Sequence, residues 1–274
     1  MITHDVTDWD DAYENGRNIP GGGNYPAAWV EPSASFRAAA KSRLDISYGK
    51  GDRHAYDLFL PEGTPHGLFV FVHGGYWVGL DKSYWSHLAA GPLAKGWAVA
   101  MPSYDLCPAV SIAEITAQVG QGITHAAGEV DGPIVLSGHS AGGHLVTAMM
   151  CEDSPLPEAV RGRLAHVVSI SGLHDLRPML KTTRNELLKL DMESAEANSP
   201  ALKRPLPGVR LTAWVGGTER QEFLRQNALL ANIWHGLGAT TLEVVEPDRH
   251  HFNVIDGLGD PGSNLVRAAL DPVT

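Results

Sequence analysis

PIVLSGHSAGGHLVTAMM, residues 133 to 150, runs from an apolar β-type stretch straight into an apolar helical one, with only Gly-His-Ser-Ala-Gly between them. A chain that turns this sharply needs small residues on either side of the apex, because side chains there would meet the strand and helix on each flank. Gly138 and Gly142 meet that need, and Gly143 adds close helix packing. The residue at the apex, Ser140, is lifted clear of the sheet edge with strained backbone angles, as a serine nucleophile must be. The amide of Ala141 opens the helix and is free to face a developing negative charge.

Working outward, short β-rich runs alternate with longer amphipathic ones. LDISYG (44–49) and AYDLFLP (55–61) are expected as an opening antiparallel pair. GLFVFVH (67–73), WAVAMPSY (97–104), PIVLSGH (133–139), LAHVVSIS (164–171), VRLTAWVG (209–216) and TTLEVVE (240–246) are expected as buried parallel strands. Helical patterns fall at about 83–95, 111–129, 141–151, 221–236 and 263–270. The reading is an α/β fold over residues 1–274 in a single domain, a mostly parallel sheet with helices on both faces. Residues 1–40 form an irregular extension with a short helix over Ser33 to Lys41. Residues 175–205, charged and containing proline, form a small helical cap over the C-terminal edge of the sheet, where open α/β sheets bind ligands.

A serine hydroxyl becomes a nucleophile only when a base takes its proton, and the base must itself be oriented by an acid. On an elbow of this kind the order along the chain is serine, acid, histidine. VRLTAWVG is followed by Gly-Gly-Thr-Glu, which makes Glu219 the candidate acid. Asp175, after the preceding strand, and Asp248, close to the histidines, are the other carboxylates available. TTLEVVE is followed by PDRHHFNVI, which offers His250 and His251 as base. The doublet as a metal site lacks further ligands at sensible spacing, so neither a metal nor another cofactor is expected.

VHGGYWVG (72–79) ends another apolar strand. Its glycines let backbone N–H groups approach a carbonyl oxygen, so Gly75 and Tyr76, with Ala141, are the candidate oxyanion donors. Tyr76 and Trp77 are candidates for holding a flat substrate group; the other reading of Trp77 is buried support beneath the loop.

The 274 residues are 43% hydrophobic and 19% charged, with a net charge of −10. The acidic residues are spread along the chain and no basic patch is present, which argues against a nucleic-acid partner. No apolar run approaches the roughly 18 residues of a membrane span. MITHDVTDWDDAYENG does not read as a signal peptide, so a cytoplasmic location is expected. Cys107 and Cys151, far apart in apolar stretches, are expected as free thiols. A homodimer is one expectation for the chain's assembly.

Taken together, these motifs resemble the α/β-hydrolases that carry HGG-type oxyanion loops. Tyr76 replaces the third glycine common in that branch. His-Gly-Gly-Tyr-Trp resembles the arylformamidase, or kynurenine formamidase, group, as do DISYG (45–49), DLFLP (57–61), SYDLCP (103–108), GHSAGGHL (138–145), VGGTERQEFLRQ (215–226) and HHFNVI (250–255). The resemblance implies a Ser140–His251–Glu219 triad and hydrolysis of N-formylkynurenine to kynurenine and formate. Carboxylesterase activity on small acyl esters is the alternative, and a non-catalytic binding protein on the same fold is a third, against which the intact triad speaks.

Overall fold

The computed structural model describes residues 5–271. Two helices, α1 (Trp9–Ala12) and α2 (Tyr25–Ala39), precede the sheet. The strands are β1 (Ser42–Ser47), β2 (Ala55–Phe59), β3 (Leu68–Val72), β4 (Ala98–Pro102), β5 (Ile134–His139), β6 (Leu164–Ile170), β7 (Arg210–Gly216) and β8 (Thr240–Glu246). They form one eight-stranded sheet in the order β1-β2-β4-β3-β5-β6-β7-β8. β1 pairs antiparallel with β2, and β2 with β4. From β4 through β8 every pairing is parallel.

Parallel neighbours require crossovers, and helices supply them. α3 (Ala90–Ala94) links β3 to β4, α4 (Ile112–Ala127) links β4 to β5, and α5 (Ala141–Met149) with α6 (Glu158–Arg161) links β5 to β6. The short α7 (Asn185–Leu188) and α8 (Met192–Ala197) lie between β6 and β7, within the region expected as a cap. α9 (Gln221–Gly236) links β7 to β8, and α10 (Asn264–Leu270) follows.

Alternation along the strands divides the interior in two. Leu68, Val70 and Val72 join Ile115, Leu145 and Trp234 in a core on one face, reaching α4, α5 and α9. Phe69 and Phe71 point the other way, into a core with Trp29, Trp85, Val266 and Leu270, reaching α2 and α10. Both faces of the central strands are therefore dry, which is why they read as nearly continuous apolar runs.

Two expectations are corrected. β8 is an edge strand, with Leu242 48% and Val245 47% exposed, so TTLEVVE is not a buried strand. The N-terminal helix begins at Tyr25 rather than Ser33 and passes through Pro32. An interior proline gives up one helix hydrogen bond; Trp29 and Ser33, both buried, hold the helix down instead. The Ser33 hydroxyl donates to the Tyr84 carbonyl at 2.7 Å. Cys107 and Cys151 are buried and free.

Candidate active site

Ser140 sits between the last residue of β5 and the first of α5 with φ 56° and ψ −118°, a conformation costly for any residue with a Cβ. Its surroundings explain the glycines. A Cβ on Gly138 would lie 2.2 Å from the Gly142 carbonyl oxygen, and one on Gly142 2.0 Å from that of Val72. The end of β3 is thus pressed against the turn, which puts the loop after β3 beside the serine.

That loop turns through three consecutive left-handed residues, Gly75 (φ 114°), Tyr76 (φ 51°) and Trp77 (φ 61°). The Gly75 carbonyl accepts from the amides of Val78 (3.0 Å) and Gly79 (3.2 Å). A Cβ at Gly75 would meet the Gly79 oxygen at 2.3 Å. His73 anchors the base of the loop, stacked on Tyr104 at 4.3 Å and flanked by Trp85. Burial pushes its imidazole down to about 4, so it is neutral.

Glu219 and His251 are brought together: Oε2 of the carboxylate lies 2.6 Å from Nδ1 of the ring, and both side chains are buried. A carboxylate accepts, so Nδ1–H donates, which leaves Nε2 as the ring nitrogen available to take a proton. The other carboxylate oxygen accepts from the Gly216 amide (2.8 Å) and from the Ser171 hydroxyl (2.5 Å). The loops carrying the two residues are tied to each other. The amide of Gly217 donates to the Glu246 carbonyl, and that of Thr218 to the Arg249 carbonyl. His139, next to the serine, bonds through Nε2 to the His251 carbonyl at 2.8 Å. The His251 ring packs 4.5 Å, centre to centre, from those of His139 and Phe223.

The alternative residues face elsewhere. His250 Nδ1 accepts from the amides of Phe252 and Asn253, and its Nε2 lies 3.1 Å from the Tyr25 hydroxyl. Asp175 is bound to Arg177 at 2.9 Å. Asp248 occupies the turn after β8 with φ 59°.

Ser140, His251, Gly75 and Tyr76 line one cavity of about 350 Å³. Its aromatic wall is Trp29, Trp85 and Phe252, not Trp77. Trp77 is fully buried in the core, edge-on to His144 at 5.2 Å, so the expectation that it contacts substrate gives way to support beneath the loop. The phenol of Tyr76 donates to the Tyr13 carbonyl, and the Arg184 guanidinium lies over one face of its ring at 4.0 Å. The N-terminal extension supplies Glu14, Asn15, Pro26 and Trp29 to the cavity. None of Ser171, Trp29, Trp85, Phe252, Asn15 and Arg184 was singled out from sequence.

Comparison with known proteins agrees with this architecture. Residues 69–272 match the alpha/beta hydrolase family, and the chain belongs to it. It is an enzyme of the hydrolase class. Among curated relatives, a kynurenine formamidase from Salmo salar is 29% identical over 266 residues, spanning 90% of this chain and 87% of the relative. One from Danio rerio is 28% identical over 250 residues, spanning 85% and 83%. Among solved structures, a protein from Silicibacter sp. described as a candidate thioesterase superposes with a TM-score of 0.92 at 54% identity, covering 97% of this chain and all of that one. An arylesterase superposes with a TM-score of 0.66 at 18% identity over 88% of both chains, a likeness of fold. Among the described residues no helix is long and apolar enough to cross a membrane.

Proposed function

We propose that this protein hydrolyses aryl formamides through Ser140, His251 and Glu219, with N-formylkynurenine as substrate. The observation that carries the reading is the 2.6 Å Glu219–His251 pair whose imidazole lines the same cavity as Ser140. His251 Nε2 takes the hydroxyl proton as Ser140 Oγ bonds to the formyl carbon. The carbonyl oxygen becomes an oxyanion held by the amides of Gly75, Tyr76 and Ala141, each such donor contributing about 3 kcal/mol in the transition state. The C–N bond breaks as His251 protonates the departing aryl amine. Water, deprotonated by His251, then attacks the formyl-serine; the ester C–Oγ bond breaks as His251 returns the proton to Ser140, and formate leaves.

A formyl group demands almost no acyl space, and an aryl amine leaves more readily than an alkyl one. The aromatic wall of Trp29, Trp85 and Phe252 suits a flat leaving group. The kynurenine formamidase relatives, matched over most of both chains, favour this substrate. A second reading, cleavage of small acyl esters or thioesters by the same residues, is favoured by the 54% identical neighbour described as a candidate thioesterase. The test is kcat/KM on N-formyl-L-kynurenine, p-nitrophenyl acetate and acetyl-CoA. The expected result is a formamide rate at least comparable with those on the esters. A formamide rate negligible beside either would transfer the assignment to the second reading.

A further inference from the structure

The cavity holding Ser140 and His251 carries an ion pair at one rim. Arg184, at the start of α7, bonds to Glu14 of the N-terminal extension at 2.9 Å, with side chains 29% and 25% exposed. Neither is free to drift. The Arg184 guanidinium lies over Tyr76, on the loop beside the serine, and Glu14 accepts the Gly16 amide at 2.9 Å. Next to them, Asn15 is only 3% exposed and lines the cavity, yet its Nδ2 makes no hydrogen bond of good geometry, although it lies near the Tyr76 hydroxyl. A buried amide donor left without a partner costs free energy unless a ligand supplies the acceptor. Beyond the rim lies a second hollow of about 640 Å³, and Glu14 and Arg184 line both spaces.

We infer that Arg184, Asn15 and Glu14 form a subsite for a zwitterionic α-amino acid group on the leaving portion of the substrate. Arg184 and Asn15 donate to its carboxylate, and Glu14 accepts from its ammonium. An anion alone would meet Glu14 and the carboxylates of Asp8, Asp10, Asp11 and Glu186 around the outer hollow, and a cation alone would meet Arg184 and Arg17. Only a group bearing both charges satisfies both members of the pair, each replacing the other's partner as the pair parts. The inference rests on the aryl formamidase reading and names the end of the substrate away from the scissile bond.

The experiment compares kcat/KM for N-formyl-L-kynurenine with that for 2-formamidoacetophenone, which keeps the aryl ketone and lacks the amino acid. The wild type is expected to prefer the former, mainly through KM. Arg184→Gln should cut that preference about tenfold, the order expected for a lost charge-assisted contact, and Arg184→Lys should restore part of it. Glu14→Gln should raise KM for N-formyl-L-kynurenine and lower it for the deaminated analogue that keeps only the carboxylate. A preference unchanged in Arg184→Gln overturns the subsite, as does a Glu14→Gln effect of one sign on both acids. A wild type that cleaves both formamides equally well also overturns the subsite and leaves the formamidase reading standing. A wild type inactive on both formamides but active on p-nitrophenyl acetate overturns the reading itself, and the subsite with it.

Discussion

His250 and His251 are neighbours in the chain and share no side-chain hydrogen-bond partner. His251 meets Glu219 inside the protein, whereas His250 meets Tyr25 and the amides of its own turn. The doublet is visible in the sequence; which member faces the acid is not, since that depends on how the turn after β8 closes. Replacement separates them. His251→Ala is expected to lower kcat by about four orders of magnitude, and Glu219→Gln by two or more, because the amide no longer fixes the tautomer. His250→Ala should cost less than tenfold. Steady-state kinetics of the three variants, each checked for native circular dichroism, test the order; a larger loss in His250→Ala would reassign the base. Ser171, which shares the Glu219 carboxylate with Gly216, was not legible, because a serine after a strand looks like any turn residue.

At the scale of elements, the loop after β3 is the one proposed to hold the oxyanion. Three successive positive φ values are affordable only because a glycine leads them and the Gly75 carbonyl takes two amides back. Gly75→Ala would drive a methyl group to within 2.3 Å of the Gly79 oxygen unless the loop shifts. The expected outcome is a fall in kcat of about a hundredfold, the cost of a displaced oxyanion donor, with KM little changed; a variant with wild-type kcat would remove this loop from the oxyanion role. The central strands were legible because burial on both faces leaves them few polar positions, such as Ser137, His166, Ser169 and Thr212, all buried. β8 was misread for the same reason in reverse. Its Val and Leu content looks like a core strand, but it is last in the sheet, and position in a sheet is set by topology rather than by composition. The helix α2 was misread because Pro26 and Pro32 look like breakers. Pro26 falls in the first turn, where its missing N–H is not needed.

At the scale of the whole molecule, six of the described histidines, His73, His139, His144, His166, His174 and His251, are buried. His73, His144 and His166 are each held neutral by burial, which pulls them down to about 4. His166, for example, lies between the Ala269 carbonyl and the Thr212 hydroxyl. In the unfolded chain the same groups titrate near their ordinary value of about 6.5. Between those two values the unfolded state binds more protons than the folded one, so stability falls as pH falls. Scanning calorimetry is therefore expected to show Tm constant above about pH 6.5 and declining steadily towards pH 4; a flat Tm across that window would contradict the buried neutral state. That the N-terminal extension walls the cavity was beyond the sequence, since its contacts are with residues far along the chain, such as Tyr13 with Glu222 and Tyr25 with His250.

The Tyr25 contact has a mechanical side. Tyr25 and Trp29 stand one turn apart on α2, the first gripping the residue beside His251 and the second forming part of the cavity wall. Any swing of the helix that widens the chamber must also tug the turn that carries the imidazole. Admitting a bulkier guest and keeping the proposed base in line are thus a single adjustment, transmitted through one helix.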